Sequence, residues 1–175
     1  MLIRLFCDAT AHLSDKNRAL TYHLARAILA GRDITFDQIH RDGLEVRQLF
    51  ESILKNNVTE DPNLDAAMSD YLKHLWINGA NYSSLTGKKF VPSFTFLQFE
   101  GAANAANATG AELGLVKGES LDTKLARLKK VIFDPDYQPI LANPNVKHGQ
   151  DILNASLLNL YRGVSIRDLA GSIPG

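Results

Sequence analysis

The sequence predicts a mostly α-helical protein, a single compact domain of about six helices over residues 1–175 with little or no sheet. Apolar residues recur every three or four positions in most segments, whereas alternating polar and apolar runs are scarce. At 175 residues and 45% hydrophobic content, the chain is long enough to bury one core. Residues 1–12 are expected to form an extended arm, and an α+β fold with a short strand there is the alternative.

Charge and cysteine content exclude several classes of protein. Lysine plus arginine equal aspartate plus glutamate at 19 each, so we expect no nucleic-acid partner and no membrane partner. Cys7 is the single cysteine, which excludes an intramolecular disulfide framework and a cysteine-based zinc ribbon. No apolar run approaches the roughly 18 residues of a membrane-spanning helix. Asp8 interrupts the apolar start before a secretory signal could form, so we expect a cytoplasmic protein.

Three helices are predicted in the first half. One covers residues 14–30, from a serine N-cap to a stop at Gly31. A second pattern runs to about residue 56 and contains Gly43, which can divide it. The third follows the turn at Pro62 and ends near Gly79. Their apolar stripes are Leu20, Leu24, Ala27 and Ile28, then Ile39, Val46, Leu49, Phe50, Ile53 and Leu54, then Leu64, Met68, Tyr71, Leu72 and Leu75.

The second half of the sequence also predicts amphipathic helices, but longer non-helical segments separate them. A helix capped by Ser93 runs to about residue 108, and its small residues predict a packing surface, with an exposed low-complexity tract as the alternative. The next helix begins at Ser120. Residues 134–149 contain three prolines, which predicts a surface crossing without helix or inner strand. Asp151 is expected to start the last full helix, and Ser165 the first turn of another. The Ser120 helix is predicted to face inward with Leu121, Leu125, Leu128 and Ile132 and mainly outward with Lys124, Arg127, Lys129 and Lys130.

Residues 76–92 are the longest interruption between regular helices. A connection of about a dozen residues is longer than usual and is therefore either functional or disordered. Its aromatic residues argue against disorder. Two interpretations remain: the aromatics fill the core beneath the loop, or the loop contacts a ligand. We expect Trp76 to be buried at the end of an apolar stripe and Tyr82 to be partly exposed with its hydroxyl available.

No local motif encodes a reaction. The five histidines include no pair three to five residues apart, so no metal ligand is predicted. A Gly-x-Ser-x-Gly nucleophile turn is absent, and Cys7 lies in an apolar segment, where a thiol is usually inert. The segment around Gly87 superficially resembles a phosphate-binding loop, but Tyr82 and Lys89 stand where that motif needs a glycine and a hydroxyl residue. We therefore predict no catalytic residue in this chain.

Four stretches, taken in order, resemble the N-terminal part of the dipeptidyl peptidase III family of zinc peptidases. The likeness covers most of the chain, from about Leu13 to Asp168. Its motifs are moderately specific, and none of them is catalytic. The stretches are Leu29-Ala30-Gly31-Arg32-Asp33-Ile34 with Asp37-Gln38, Leu75-Trp76-Ile77-Asn78-Gly79 with Lys89-Phe90-Val91-Pro92, Ile132-Phe133-Asp134-Pro135, and Asn159-Leu160-Tyr161-Arg162-Gly163-Val164.

The resemblance implies a parent enzyme that holds zinc with two histidines and a glutamate, on helices downstream of the matched region. This sequence has no His-Glu-x-x-Gly-His motif, so no zinc ligand carries over and no cofactor is expected in this chain. In the loop, Ala80, Asn81 and Tyr82 stand where the bacterial branch has a run of histidines. By resemblance, Asn81, Tyr82, Leu85 and Phe90 line part of a peptide-binding groove.

Two hypotheses follow. The first is a non-catalytic N-terminal portion of a dipeptidyl peptidase III-like exopeptidase, whose partners are a peptide substrate and the remaining catalytic lobe. The second is a stand-alone helical binding or scaffold protein without catalysis. A helix that begins at Ser165 and is cut short near the chain end favours the first hypothesis.

Overall fold

A computed structural model of the chain describes residues 8–56, 59–142 and 145–172. It confirms the mostly α-helical prediction: the described residues contain six α-helices, two 3-10 helices and two isolated β-bridges, and no strand. The start of the predicted arm, residues 1–7, lies outside the described residues, and Asp8–His12 forms a 3-10 helix instead of continuing extended. The α-helices are α1 (Asp15–Ile39), α2 (Gly43–Lys55), α3 (Pro62–Asn78), α4 (Phe96–Ala108), α5 (Leu121–Phe133) and α6 (Ile166–Ser172).

Contacts divide the chain into two units, Met1–Ile34 and Thr35–Gly175. In the first unit, Ser14 caps α1 as predicted, because its hydroxyl accepts the N–H of Asn17 at 3.4 Å. The predicted stop at Gly31 is wrong, since α1 continues to Ile39. A glycine inside a helix costs only about 1 kcal/mol relative to alanine, and the strong helix formers next to Gly31, which are Leu29, Ala30 and Arg32, offset this cost.

The core of the second unit is built by four helices. In it α2 packs against α3 and α4, and α4 packs against α5. Phe50 occupies the middle, with its ring centroid 4.7 Å from that of Phe99 and 5.1 Å from that of Tyr71. Three alanines of α4 are buried in the same core, and their small side chains allow neighbouring helices to approach α4 closely. This confirms the predicted packing surface. The three alanines are Ala102, Ala103 and Ala106.

Local capping chemistry sets most helix ends. The Asp61 carboxylate accepts the N–H of Asn63 at 2.9 Å, and Gly79 ends α3 in the left-handed region at φ 76°. Both ends agree with the prediction. The predicted cap of α4 is two residues too early, because Thr95 forms a reciprocal capping box with Gln98. The predicted start of the next helix is correct, with Ser120 capping α5.

Two predictions for the second half are wrong. Lys124, expected to point mainly outward, is buried and donates to the carbonyls of Leu113 and Gly114. The helix expected from Asp151 does not form, because that carboxylate accepts the N–H of Leu153 at 2.8 Å in a turn. Only the 3-10 helix Asn159–Tyr161 interrupts this irregular stretch before α6. No helix in the described parts of the chain is both long and apolar enough to cross a membrane.

Candidate functional site

The loop after α3 is an ordered, hairpin-like turn. Tyr82 and Lys89 form an antiparallel bridge, and Lys88 forms a second one with Ile140 of the proline-rich crossing. The turn closes where the N–H of Gly87 donates to the carbonyl of Ser83 at 2.7 Å, with Gly87 at φ 67°. The proline-rich segment therefore pairs with the base of the loop as a third extended segment, beside the two arms of the turn.

Lys89 ties this base to the end of α5. Its ammonium donates to the carbonyl of Asp134 at 3.1 Å and also to that of Tyr137, and it lies 5.3 Å from the Tyr137 ring centroid. Burial lowers the pKa of Lys89, although the Asp134 carboxylate opposes this effect. The side chain thus satisfies carbonyls of the C-cap residue of α5 and of the turn that follows it.

Asn81 and Tyr82 face the interior. The Asn81 amide donates to the carbonyl of Val131 at 2.7 Å. The Tyr82 side chain is 1% exposed, and its hydroxyl donates to the carbonyl of Gln138 at 3.0 Å. The expected exposure of Tyr82 is therefore wrong: pairing at the base of the turn directs its ring against His40, at 5.3 Å between centroids. Burial raises the pKa of the Tyr82 hydroxyl, which keeps it a neutral donor.

Trp76 departs from the prediction in the opposite sense. Its side chain is 48% exposed, and its indole N–H donates to the Glu51 carboxylate at 2.7 Å. The buried positions of α3 end at Leu75, so Trp76 lies beside the apolar stripe. The expectation of a buried Trp76 is wrong, because the indole N–H needs a polar partner and finds it at the surface of α2.

The other two predicted site residues occupy different positions. Leu85 stands at the tip of the loop and is 95% exposed. Phe90 is half-buried, with its ring centroid 5.6 Å from those of Tyr71 and His74. Their role in peptide binding stays a prediction, as does that of Asn81 and Tyr82, whose side chains bond within the protein.

A groove of about 550 Å³ runs between α3 and the loop. One wall consists of Asp70, His74 and Asn78, which lie on successive turns of α3. The opposite wall is formed by Ser83 and residues 90–93. This volume lies within the range of ordinary ligand sites. The Asp70 carboxylate is paired with Lys73 at 2.7 Å, and the remaining neutral hydrogen-bonding groups beside the Phe90 ring suit a peptide main chain and one apolar side chain.

Tyr71 also lines this groove and is almost fully buried. Burial raises the pKa of its hydroxyl, and the Asn81 side chain acts in the opposite direction. The hydroxyl makes no hydrogen bond of normal geometry within the protein. The neutral Tyr71 side chain therefore forms part of the groove lining, with its hydroxyl enclosed by the protein.

The sequence did not lead us to predict the α3 wall of the groove. The spacing of its polar residues could have indicated it, because Asp70, His74 and Asn78 are four residues apart and share one face of the helix. His74 was predicted only as a surface or half-buried histidine and not as a ligand, because no second histidine stands three to five residues from it. Among residues 8–56, 59–142 and 145–172, no three histidine, cysteine or acidic side chains gather into a group that could hold a metal ion.

The stretches that carry the family resemblance contact one another in pairs. Lys89 of the second stretch donates to Asp134 of the third. The Asn159 amide of the fourth donates to the carbonyl of Asp37, in the Asp37-Gln38 part of the first, at 2.8 Å. No protein-family model matches the chain, and no curated protein matches it either. The relationship to dipeptidyl peptidase III thus stays a prediction that rests on these motif residues.

Proposed function

We propose that this chain is a non-catalytic, N-terminal portion of a cytoplasmic, zinc-dependent dipeptidyl peptidase III-like exopeptidase and contributes part of its peptide-binding cleft. Zinc and the catalytic groups belong to the remaining lobe, which is the partner of this chain. The peptide substrate is the second partner.

The observation that carries the proposal is the contrast between the base and the tip of the loop. Hydrogen bonds of Asn81, Tyr82 and Lys89 hold the base against the second unit's own core. At the tip, Leu85 exposes nearly its whole side chain to solvent. An apolar side chain presented on a preorganised turn suits contact with a ligand, since little conformational entropy is lost on binding.

The groove beside the loop adds chemical support. Asn78 and Ser83 offer neutral donors and acceptors, as the main chain of a peptide requires, and Phe90 offers an apolar surface. Asn78 also supports the loop directly, because its side-chain oxygen accepts the N–H of Ser84 at 2.9 Å. The same residue therefore joins the groove wall to the loop.

One observation favours the stand-alone binding protein as a second candidate. Both walls of the groove come from this chain, so a peptide could bind without another lobe. The two candidates differ in affinity. Part of a cleft should bind a short peptide with a Kd of about 1 mM, whereas a complete site should reach about 1 μM.

The test is a titration of the full chain with tetra-alanine and, separately, with a leucine-containing tetrapeptide. Backbone NMR chemical shifts monitor binding. We expect saturable shifts at Asn78, Ser83 and Phe90. Leu85→Ser should weaken binding of the leucine-containing peptide severalfold, while Leu97→Ser, an equally apolar exposed site on α4, should not. Absence of shifts in the groove would reject both candidates. A coding region that continues into a His-Glu zinc motif would favour the peptidase over the stand-alone protein.

A further inference from the structure

A second cavity, of about 190 Å³, lies between the turn at His40 and the irregular segment after Asp151. Two arginines, Arg41 and Arg162, are among its lining residues. The described residues along its walls include no carboxylate. The other polar lining residues are neutral: His40, the amides of Gln138, Asn154 and Asn159, and the hydroxyl residues Ser156 and Tyr161. A cavity with cationic and neutral donors on its walls favours a negatively charged occupant.

Gln138 marks this cavity as unusual. Among the described residues it is the one non-glycine residue with positive φ, at 54°. Its carbonyl is fixed by the Tyr82 hydroxyl, and its side-chain oxygen is buried without a hydrogen bond of normal geometry. That oxygen does lie near His40, because the Gln138 side chain acts to raise the pKa of the imidazole. A strained residue with its amide in a cavity is typical of a binding site.

His40 also lines this cavity, and its ring is neutral because burial lowers its pKa. Its Nδ1 accepts the N–H of Asp42 at 3.2 Å, which assigns the proton of the neutral ring to Nε2. The nearby negative charge is already matched, since Asp42 lies 3.3 Å from the Arg41 guanidinium and 3.9 Å from that of Arg127. Asp42 therefore pairs with Arg41 and Arg127 rather than with Arg162.

The far wall is held in place by hydrogen bonds. The N–H of Leu157 donates to the carbonyl of Leu141 at 2.8 Å, and the Asn159 amide donates to that of Asp37 at 2.8 Å. Asp151 fixes the two ends of the segment, accepting the N–H of Leu153 and that of Ile166. The cavity therefore exists before any ligand arrives.

From these observations we infer that the cavity binds a small oxyanion, a carboxylate or a phosphate group, through the Arg162 guanidinium and the neighbouring amide donors. The volume of about 190 Å³ corresponds to about six water molecules, enough for such a group and a few waters. The site is separate from the peptide groove and does not depend on the proposed peptidase function.

Titration of the full chain with sodium phosphate and, separately, sodium acetate tests the inference, with ionic strength held constant by sodium chloride. We expect saturable NMR shifts of the Gln138 and Asn154 side-chain amides, and the stronger of the two salts identifies the oxyanion. Arg162→Met should weaken binding about tenfold or more, because a charge-assisted hydrogen bond is lost. Arg167→Met, an exposed arginine of α6 outside the cavity lining, should leave it unchanged.

Equal shifts with chloride alone, or equal affinity in the Arg162→Met protein, would overturn the inference. Asn154→Leu provides a second variant if Arg162→Met loses its helical circular dichroism. It removes an amide donor from the wall at an exposed position and should also weaken binding. The inference would also be contradicted if Asn154→Leu bound the oxyanion with unchanged affinity and its NMR shifts matched those caused by sodium chloride alone.

Discussion

Burial differs sharply between Leu75 and Trp76, although the two are adjacent in sequence. Leu75→Ala should lower the free energy of unfolding by about 2–5 kcal/mol, because it opens a cavity in the core. Trp76→Ala should cost less than about 1.5 kcal/mol, since a half-exposed ring and one surface hydrogen bond are lost. Urea unfolding of both variants measures the difference. A larger loss for Trp76→Ala would restore the prediction that Trp76 belongs to the core.

His40 should make stability depend on pH. Burial is the largest effect and lowers its pKa below 6.5, helped by Arg41 and Lys89 and opposed by Asp42 and Gln138. Below pH 6.5 the unfolded chain therefore binds a proton more readily than the folded chain. Stability should be fully present above pH 6.5 and should fall as the pH drops toward the lowered pKa.

Urea unfolding between pH 7.5 and pH 5 tests this prediction. His40→Asn keeps an acceptor for the Asp42 N–H and removes the titration, so its stability should change less over this range. His148→Asn, at an exposed position, should behave like the unchanged protein. Equal slopes for the two variants would mean that His40 is not the responsible group.

At the scale of elements, the end of α3 depends on Gly79. A Cβ there would lie 2.4 Å from the Ile39 Cδ1, and the residue has positive φ. Gly79→Ala should thus combine about 1–2 kcal/mol of backbone strain with about 1–3 kcal/mol of overpacking. Gly110→Ala is the matched control, because Gly110 has φ +82° but no atom within 4 Å of its Cβ position.

Thermal or urea unfolding of both glycine variants separates the two contributions. We expect Gly110→Ala to show the backbone contribution alone. If Gly79→Ala costs no more than Gly110→Ala, then Ile39 moves aside easily and the close approach is unimportant for the helix end.

At the scale of the whole molecule, an ion network with the buried Lys124 at its centre joins α2, α5 and the segment between α4 and α5. Lys124 donates to two carbonyls and lies 3.0 Å from the Glu45 carboxylate, which also receives two hydrogen bonds from Arg127. Burial acts to raise the pKa of Glu45, but the hydrogen bonds from Arg127 and Lys124 outweigh it, and the pKa is lowered. The carboxylate is therefore charged at neutral pH.

Lys124→Met should destabilise the protein by about 1–3 kcal/mol, because the carbonyls of Leu113 and Gly114 lose their donor. Lys117→Met, at an exposed position of the same connecting segment, should change stability by less than about 0.5 kcal/mol. Chemical denaturation of both variants provides the measurement. Similar values for the two would show that Lys124 behaves as a surface lysine, as its position in the sequence pattern suggested.

The sequence by itself determined the helical class and most helix ends. These features depend on contacts between residues three or four positions apart and on caps such as Asp61, Gly79 and Ser120. The same local logic failed at Gly31, where the neighbouring residues carry α1 through the glycine, and at Asp151, whose carboxylate forms a turn. The sequence also singled out the loop that forms one wall of the groove.

Only the tertiary structure decided which side chains of that loop are available. Tyr82 is buried and Trp76 half-exposed, the reverse of the prediction, while Leu85 is exposed at the tip. The α3 wall of the groove and the inward position of Lys124 likewise required the fold. Each depends on partners distant in sequence, and local periodicity carries no information about which distant surfaces meet.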